Sequence, residues 1–272
     1  MADFIIAKSV TDLTTPLSTV VNADTVTFAE GSQTVNAGLT VTAQLNQLAI
    51  LPAFTGTIGG GSGSFDVAVG GASAGTNPRT VYAAGGGSLY LGRSGATYTR
   101  VQAIGRGSMY LTNGTVTTLE QRSGVVSVNG STIVTNAYVQ GGEFSCLNNA
   151  TAITDAVVSG GVANFQRSVT TLKIAGRGIA NVYRDDTTAS MPTATTIEAG
   201  GGLLKWRGGN ITTLRAWGDA MLDFSAVAVP ITITNLIIDH AVWERSVLRS
   251  ASRVGVVTIT NTTIYASERD TV

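Results

Sequence analysis

One cysteine and one histidine occur in 272 residues. The lone Cys146 excludes an intrachain disulfide, and one Cys with one His leaves no ligand set for a zinc site of those residue types. A Ser-His-Asp or Cys-His centre is possible by count, but no nucleophile elbow accompanies His240, which reads as a structural histidine near a C-terminal cap. Charge is equally sparse: Asp, Glu, Lys and Arg make up 12% of the chain, against about 25% in an ordinary soluble domain. The 17 basic and 17 acidic groups cancel, and no basic stripe of the kind nucleic acid requires stands out. No apolar run approaches the ~20 residues of a membrane span. The opening Met-Ala-Asp-Phe-Ile-Ile-Ala-Lys lacks a basic segment followed by a long apolar one, so synthesis and folding in a cytoplasm are expected. Neither a P-loop nor a G-x-G-x-x-G following a strand is present. No cofactor, metal, nucleic acid or membrane is expected as a partner.

What the chain does have is an internal repeat. Gly63, Gly87, Gly107, Gly124, Gly142, Gly161, Gly178, Gly202 and Ala220 form one column, at spacings of 24, 20, 17, 18, 19, 17, 24 and 18 residues. Two residues on stand Phe65, Leu89, Met109, Val126, Phe144, Ala163, Ala180, Leu204 and Leu222. Four residues on stand Val67, Leu91, Leu111, Val128, Cys146, Phe165, Val182, Trp206 and Phe224. Between them lie Asp66, Tyr90, Tyr110, Ser127, Ser145, Asn164, Asn181, Lys205 and Asp223. In-out-in alternation is the period of a strand with one buried face, and its recurrence is the signature of stacked coils. Cys146 falls in the inward column as a small core residue.

A second, Thr-rich strand carries Val116, Ile133, Ile153, Val169, Ile211 and Ile231, and a third carries Leu119, Ala137, Ala156, Leu172, Ile197 and Leu214. Three short strands and three corners per coil predict an all-β fold, a single-stranded parallel β-helix (β-solenoid) of 17–24 residues per coil. Irregular coil lengths favour the right-handed form. The glycines belong at corners, where the backbone needs positive φ or a neighbour approaches closely. One elongated unit is expected, with residues 1–60 as lead-in, capping and attachment region, 61–225 as coils and 226–272 as last coils and C-terminal cap. Within the lead-in, residues 24–30 and 35–42 read as strands and 45–59 as an apolar patch. Gly59-Gly-Gly-Ser-Gly63 reads as a tight corner rather than a linker. Residues 68–80 and 183–195 are the longest corners.

Charge is distributed unevenly. Residues 1–78 carry Lys8 against five acidic groups, and the remainder carries 16 basic and 12 acidic groups. A surface so poor in charge either meets other protein or belongs to a compact, stable particle; composition leaves both open. Asp219 and Asp223 lie four residues apart in one coil, and the strand period points Asp223 outward beside Lys205 and Asn181, about 4.8 Å per rung. Such a row either lines a sugar groove, with two acids in reach of glycoside hydrolysis, or is ordinary solvated surface. Asp185-Asp186 admits a calcium ion on the same footing. Tyr90 and Tyr110 fall on adjacent coils, either as an interface or as a cross-rung pair. Thr-x-Thr segments occur in ice-binding solenoids, but unequal spacings argue against a flat array.

The Met start without an export signal, the Thr/Gly-rich coils and residues 24–59, ending Phe54-Thr-Gly-Thr-Ile-Gly59, together resemble the β-helical structural proteins of tailed bacteriophage virions. These include capsid decoration (cement) proteins and, more distantly, tail spikes. The resemblance spans most of the chain as a style of sequence and contains no diagnostic motif. It implies a non-enzymatic virion protein, commonly a homotrimer, that binds the major capsid protein and sister subunits and stabilises the head. It supplies no catalytic residues. The alternative it leaves open is a tail spike or fibre-like β-helix that binds or cleaves host surface polysaccharide. The contacts that matter are expected where the repeat breaks: the first 60 residues, the two long corners and the last 45 or so.

Overall fold

The computed structural model describes residues 3–6, 24–32, 34–35, 45–59, 79–92, 97–147, 150–184, 191–227, 229–246 and 257–265. The chain is a β-solenoid of about nine turns, built almost wholly of parallel strands. The described coils carry two strands, one long and one short. After β1 (Asp3–Ile6) come β2 (Thr25–Gly31) with β3 (Thr34–Val35), β4 (Gln47–Phe54) with β5 (Thr57–Ile58), and β6 (Thr80–Ala83) with β7 (Ser88–Leu91). Next are β8 (Thr97–Ala103) with β9 (Ser108–Leu111), β10 (Thr115–Gln121) with β11 (Val125–Val128), and β12 (Ile133–Val139) with β13 (Glu143–Cys146). Then follow β14 (Ile153–Val158) with β15 (Val162–Phe165), β16 (Val169–Ile174) with β17 (Ile179–Val182), and β18 (Ala194–Ala199) with β19 (Leu203–Trp206). The series closes with β20 (Ile211–Ala216), β21 (Met221–Asp223), β22 (Ile231–Asp239), a short helix α1 (His240–Arg245) and β23 (Val257–Tyr265).

Two compact units divide the chain, residues 1–136 with 149–151 and residues 137–148 with 152–272. In the first, long strands pair in the order β1-β2-β4-β6-β8-β10 and short strands in the order β3-β5-β7-β9-β11. In the second, the orders are β14-β16-β18-β20-β22-β23 and β13-β15-β17-β19-β21. All these pairings are parallel. Parallel neighbours ordinarily need a long crossover; here the rest of the coil is the crossover.

The inward columns of the short strands stand where the repeat puts them from Leu89 onward. Leu89 and Leu91, Met109 and Leu111, Val126 and Val128, Phe144 and Cys146, Ala163 and Phe165, Ala180 and Val182, Leu204 and Trp206, and Leu222 and Phe224 are all buried. The Trp206 indole satisfies its one donor by giving Nε1–H to the Gly209 carbonyl, 2.9 Å away. Phe144 and Phe165 pack at 5.7 Å between ring centroids.

The sequence and the structure part company at three places. The two further strands expected in each coil are one hydrogen-bonded strand that bends: inward residues are spaced by three and then two, as in Val169, Leu172 and Ile174 or Ile211, Leu214 and Ala216. The bend falls on Thr170-Thr171 and Thr212-Thr213, where pairing passes from Val169↔Ala194 to Thr171↔Thr196 without Thr170. A corner that keeps the ladder intact has a period break but no strand break, which is why alternation alone splits it. In β12 the inward residue is Val134, while Ile133 is 42% exposed; in β22 Ile231 and Ile233 are both buried, and it is Ile233 that pairs with Ile211. The third difference lies at the start. Gly63, Phe65 and Val67 lie outside the described residues, and the rung before β7 is β5, with Thr57↔Ser88 and Ile58↔Leu89. Pairing therefore begins well before residue 60, in β1–β5. Part of the segment 35–42, most of Gly59-Gly63 and most of the corner 68–80 also lie outside the described residues.

The glycine column works through close approach. A Cβ on Gly87 would stand 1.8 Å from the Gly56 carbonyl oxygen, and one on Gly107 would stand 2.1 Å from that of Gly87. Adjacent Gly86 has room, its nearest neighbour being a Thr55 methyl at 3.7 Å. At the far end, β23 alternates half-buried and exposed residues and then runs exposed to Tyr265; among the described residues it has a strand on one side only. Overpacking predicts that Gly107→Ala lowers stability by about 1–3 kcal/mol. Gly86→Ala changes it by no more than about 0.5 kcal/mol. Urea unfolding of the two variants checks this, and equal losses would contradict the close-packed corner.

Candidate functional site

Parallel in-register pairing turns the outward position of each short strand into a column. In the second unit Ser145, Asn164, Asn181, Lys205 and Asp223 are successive members, tied by Ser145↔Asn164, Asn164↔Asn181, Asn181↔Lys205 and Lys205↔Asp223. The outward row expected from the strand period is thus present. Asn181 Nδ2 donates to Asn164 Oδ1 at 2.8 Å, and Asn164 Nδ2 donates to Glu143 Oε1 at 3.4 Å. Asn181 Oδ1 is buried and accepts no hydrogen bond. Two residues beyond Asn181 and Lys205 stand Tyr183 and Arg207, which complete a groove of about 290 Å³ with Asn164 and Val182. The functional row expected from the sequence omitted Tyr183 and Arg207, although the period-two count that turns Asn181 and Lys205 outward extends to them.

The two acids considered for hydrolysis have different settings. Asp219 is exposed in the turn between β20 and β21, whereas Asp223 ends β21 half-buried. Burial pushes the Asp223 carboxyl up, but hydrogen bonds from Ser225 and the charges of Lys205 and Arg207 together outweigh it and hold the group below the usual carboxylate range. Its Oδ1 accepts the Ser225 backbone N–H at 2.9 Å. A glycosidase general acid needs the opposite shift, so Asp223 is set as an ionised carboxylate rather than as a proton donor to a leaving group.

Other sequence candidates are also placed. Tyr90 and Tyr110 stack at 4.4 Å with planes 14° apart on paired strands of the first unit. His240 opens α1, half-buried, directly after Asp239, whose Oδ1 caps the helix by accepting the Ala241 N–H at 2.8 Å. Asp185-Asp186 lies outside the described residues. Among the described residues no cluster of three or more His, Cys, Asp or Glu could hold a metal, and no helix is long and apolar enough to cross a membrane.

Two features escaped the sequence. On the outer face of the first unit's long strands, Arg100 clasps Glu120 through Nε and Nη2, each at 2.9 Å, while Gln102 donates to the same carboxylate. The hydrogen bond from Arg100 lowers the Glu120 carboxyl, against a smaller opposing effect of burial. The second lies in the last coils. Of eleven large apolar side chains exposed among the described residues, Trp217, Met221, Val229, Trp243, Ile264 and Tyr265 belong to this stretch. A cleft of about 510 Å³ opens between Trp217 and Tyr265, over Ile237, with Arg215 and Asp239 at its sides. Two of the chain's three tryptophans are here, a concentration visible in composition had the final residues been counted by type rather than by period.

A scan of protein-family models, a search of the curated proteins and a search of the solved structures each return no match.

Cys146 is the remaining nucleophile to place. Burial pushes its thiol up to about 12, a nearby Arg167 opposing slightly, so the thiolate that nucleophilic or redox chemistry requires is absent near neutrality. Unfolding returns the thiol to an ordinary value of about 8.5. Between these values the unfolded chain binds fewer protons than the folded one, so stability falls as pH rises through that window. Urea unfolding at about pH 7 and about pH 10 should show a smaller fall for Cys146→Ala than for the parent. Equal falls would place the thiol elsewhere than in the core.

Proposed function

We propose that the chain is a non-enzymatic structural component of a bacteriophage particle that seats on the assembled capsid as a decoration protein, alongside sister subunits in a trimer. The observation that carries this is the set of exposed apolar side chains in the last coils. Trp217, Met221, Trp243 and Tyr265 stand exposed on a chain in which charged residues are only 12%. Tryptophan and tyrosine dominate binding energy where they enter a partner's pockets, and charge is depleted at interface centres. The sequence style of virion β-helices supplies the class of partner. The low-charge coils support a binding role.

The physical logic is linkage. A protein that contacts neighbouring capsomers together binds the lattice and not the free subunits, and so stabilises the assembled state. Stacked coils suit this task because each inward column resists compression at crystal-like packing density.

Expected outcomes follow from that logic. Purified protein co-sediments with capsids stripped of accessory proteins and not with unassembled capsid subunits, and it raises the temperature at which those capsids open. Trp217→Ala with Trp243→Ala weakens capsid binding by about tenfold or more while leaving the far-UV circular dichroism unchanged. Recovery of the protein only in free lysate, never in purified particles, would overturn the proposal. Release of oligosaccharide from host capsule or lipopolysaccharide would replace it with the tail-spike role.

A further inference from the structure

The groove over β15, β17 and β19 is not explained by attachment through the last coils. Its floor is an amide ladder, Glu143 to Asn164 to Asn181, in which each Asn Nδ2 donates down the column. The ladder ends in Asn181 Oδ1, a buried acceptor without a donor. Leaving such an acceptor unsatisfied is destabilising, and a hydroxyl donated to it removes that cost. One rung further, about 4.8 Å away along the column, stands Lys205, with Arg207 beside it and Tyr183 on the facing rung.

The groove therefore asks for three things in a small space: a donor for Asn181, an anion for Lys205 and Arg207, and an apolar ring edge for Tyr183. A volume of about 290 Å³ lies at the small end of ligand pockets, which run from about 300 Å³ upward. That suits one or two ring units rather than a large ligand. Carboxylates stand at both sides of the groove, Glu143 accepting from Asn164 and Asp223 one rung beyond Lys205. A continuous polyanion such as nucleic acid, with a negative charge at every few ångströms, meets repulsion at each end. A chain whose single acidic group is flanked by hydroxyls does not.

We propose that this groove binds an acidic saccharide, with the sugar carboxylate on Lys205 and Arg207, the ring edge against Tyr183, and a ring hydroxyl donating to Asn181 Oδ1 as the side chains that cover this atom give way. Groove binding is independent of particle attachment and involves a different set of residues. On a virion surface, it would hold the particle near acidic glycans without cleaving them.

The test is a titration of the full chain, followed by NMR or calorimetry, with three probes. These are a panel of uronate- and sialate-bearing oligosaccharides, neutral oligosaccharides of matched length, and inorganic phosphate as a bare anion. At least one acidic oligosaccharide should bind, with neutral ones about tenfold weaker or worse, as expected for loss of a charge-assisted hydrogen bond. Lys205→Gln with Arg207→Gln should abolish the preference for acid, and binding should weaken with added salt. Asn181→Ala should weaken the saccharide and leave phosphate unchanged. Lys205→Arg should retain binding, which separates loss of the site from loss of the fold, and capsid binding should be unaffected by every groove variant. Equal binding of neutral and acidic probes, phosphate matching the best saccharide, or no binding across the panel would each overturn the proposal.

Discussion

Everything in this molecule rests on one constraint, the in-register stacking of a parallel strand on its counterpart in the next coil. Register converts a linear sequence into columns, so a residue's neighbours are its equivalents about one coil away and not its chain neighbours. Once the column is fixed, inward positions must be apolar for as long as the stack continues. Outward positions become repeating surfaces, and corners must fit backbone against backbone. The glycine corners are the tightest expression of this constraint, because the carbonyl of one coil occupies the space where the next would carry a Cβ.

The same constraint governs the polar groups. Charge is scarce, and where it occurs among the described residues it is often paired between rungs. Arg100 with Glu120 and Lys173 with Glu198 are examples, the latter at 3.0 Å. Asn side chains repeat the motif without charge: Asn181 donates to Asn164, and Asn261 to Asn235 at 3.0 Å. Such ladders satisfy one amide with the next, and a ladder must end somewhere. Where it ends under cover, as at Asn181, it leaves a buried acceptor without a donor. The proposed binding groove thus lies where a repeat is interrupted rather than on a purpose-built loop.

How much of this the sequence disclosed follows from period. The inward pairs from Leu89–Leu91 to Leu222–Phe224 were legible because both members of each pair keep strict alternation after a glycine or, in the last, after Ala220. The bent long strands were misread as two because Thr170-Thr171 and its equivalents break the period without breaking the ladder. The rung of Thr57 and Ile58 was missed because Gly63-Ser-Phe-Asp-Val67 mimics the repeat more closely than Gly56-Thr-Ile58 does, and only pairing reveals which segment stacks under Ser88 and Leu89. At the site, Asn181, Lys205 and Asp223 were found by column, but the direction of Asp223's ionisation depended on Ser225 and Arg207, which no alternation identifies. The exposed Trp217, Trp243 and Tyr265 carry no period at all.

Among the described residues, β1 and β23 each have a strand on one side only. In a stacked array, stability is a sum of rung-to-rung contacts, so a rung supported on one face relies wholly on that face. β23 therefore depends on β22 for its place, and Tyr265 with it. That side chain forms one wall of the cleft whose other wall is Trp217. A molecule settling there would brace the two walls against each other, so adhesion at this cleft and protection of β23 against fraying would be a single event.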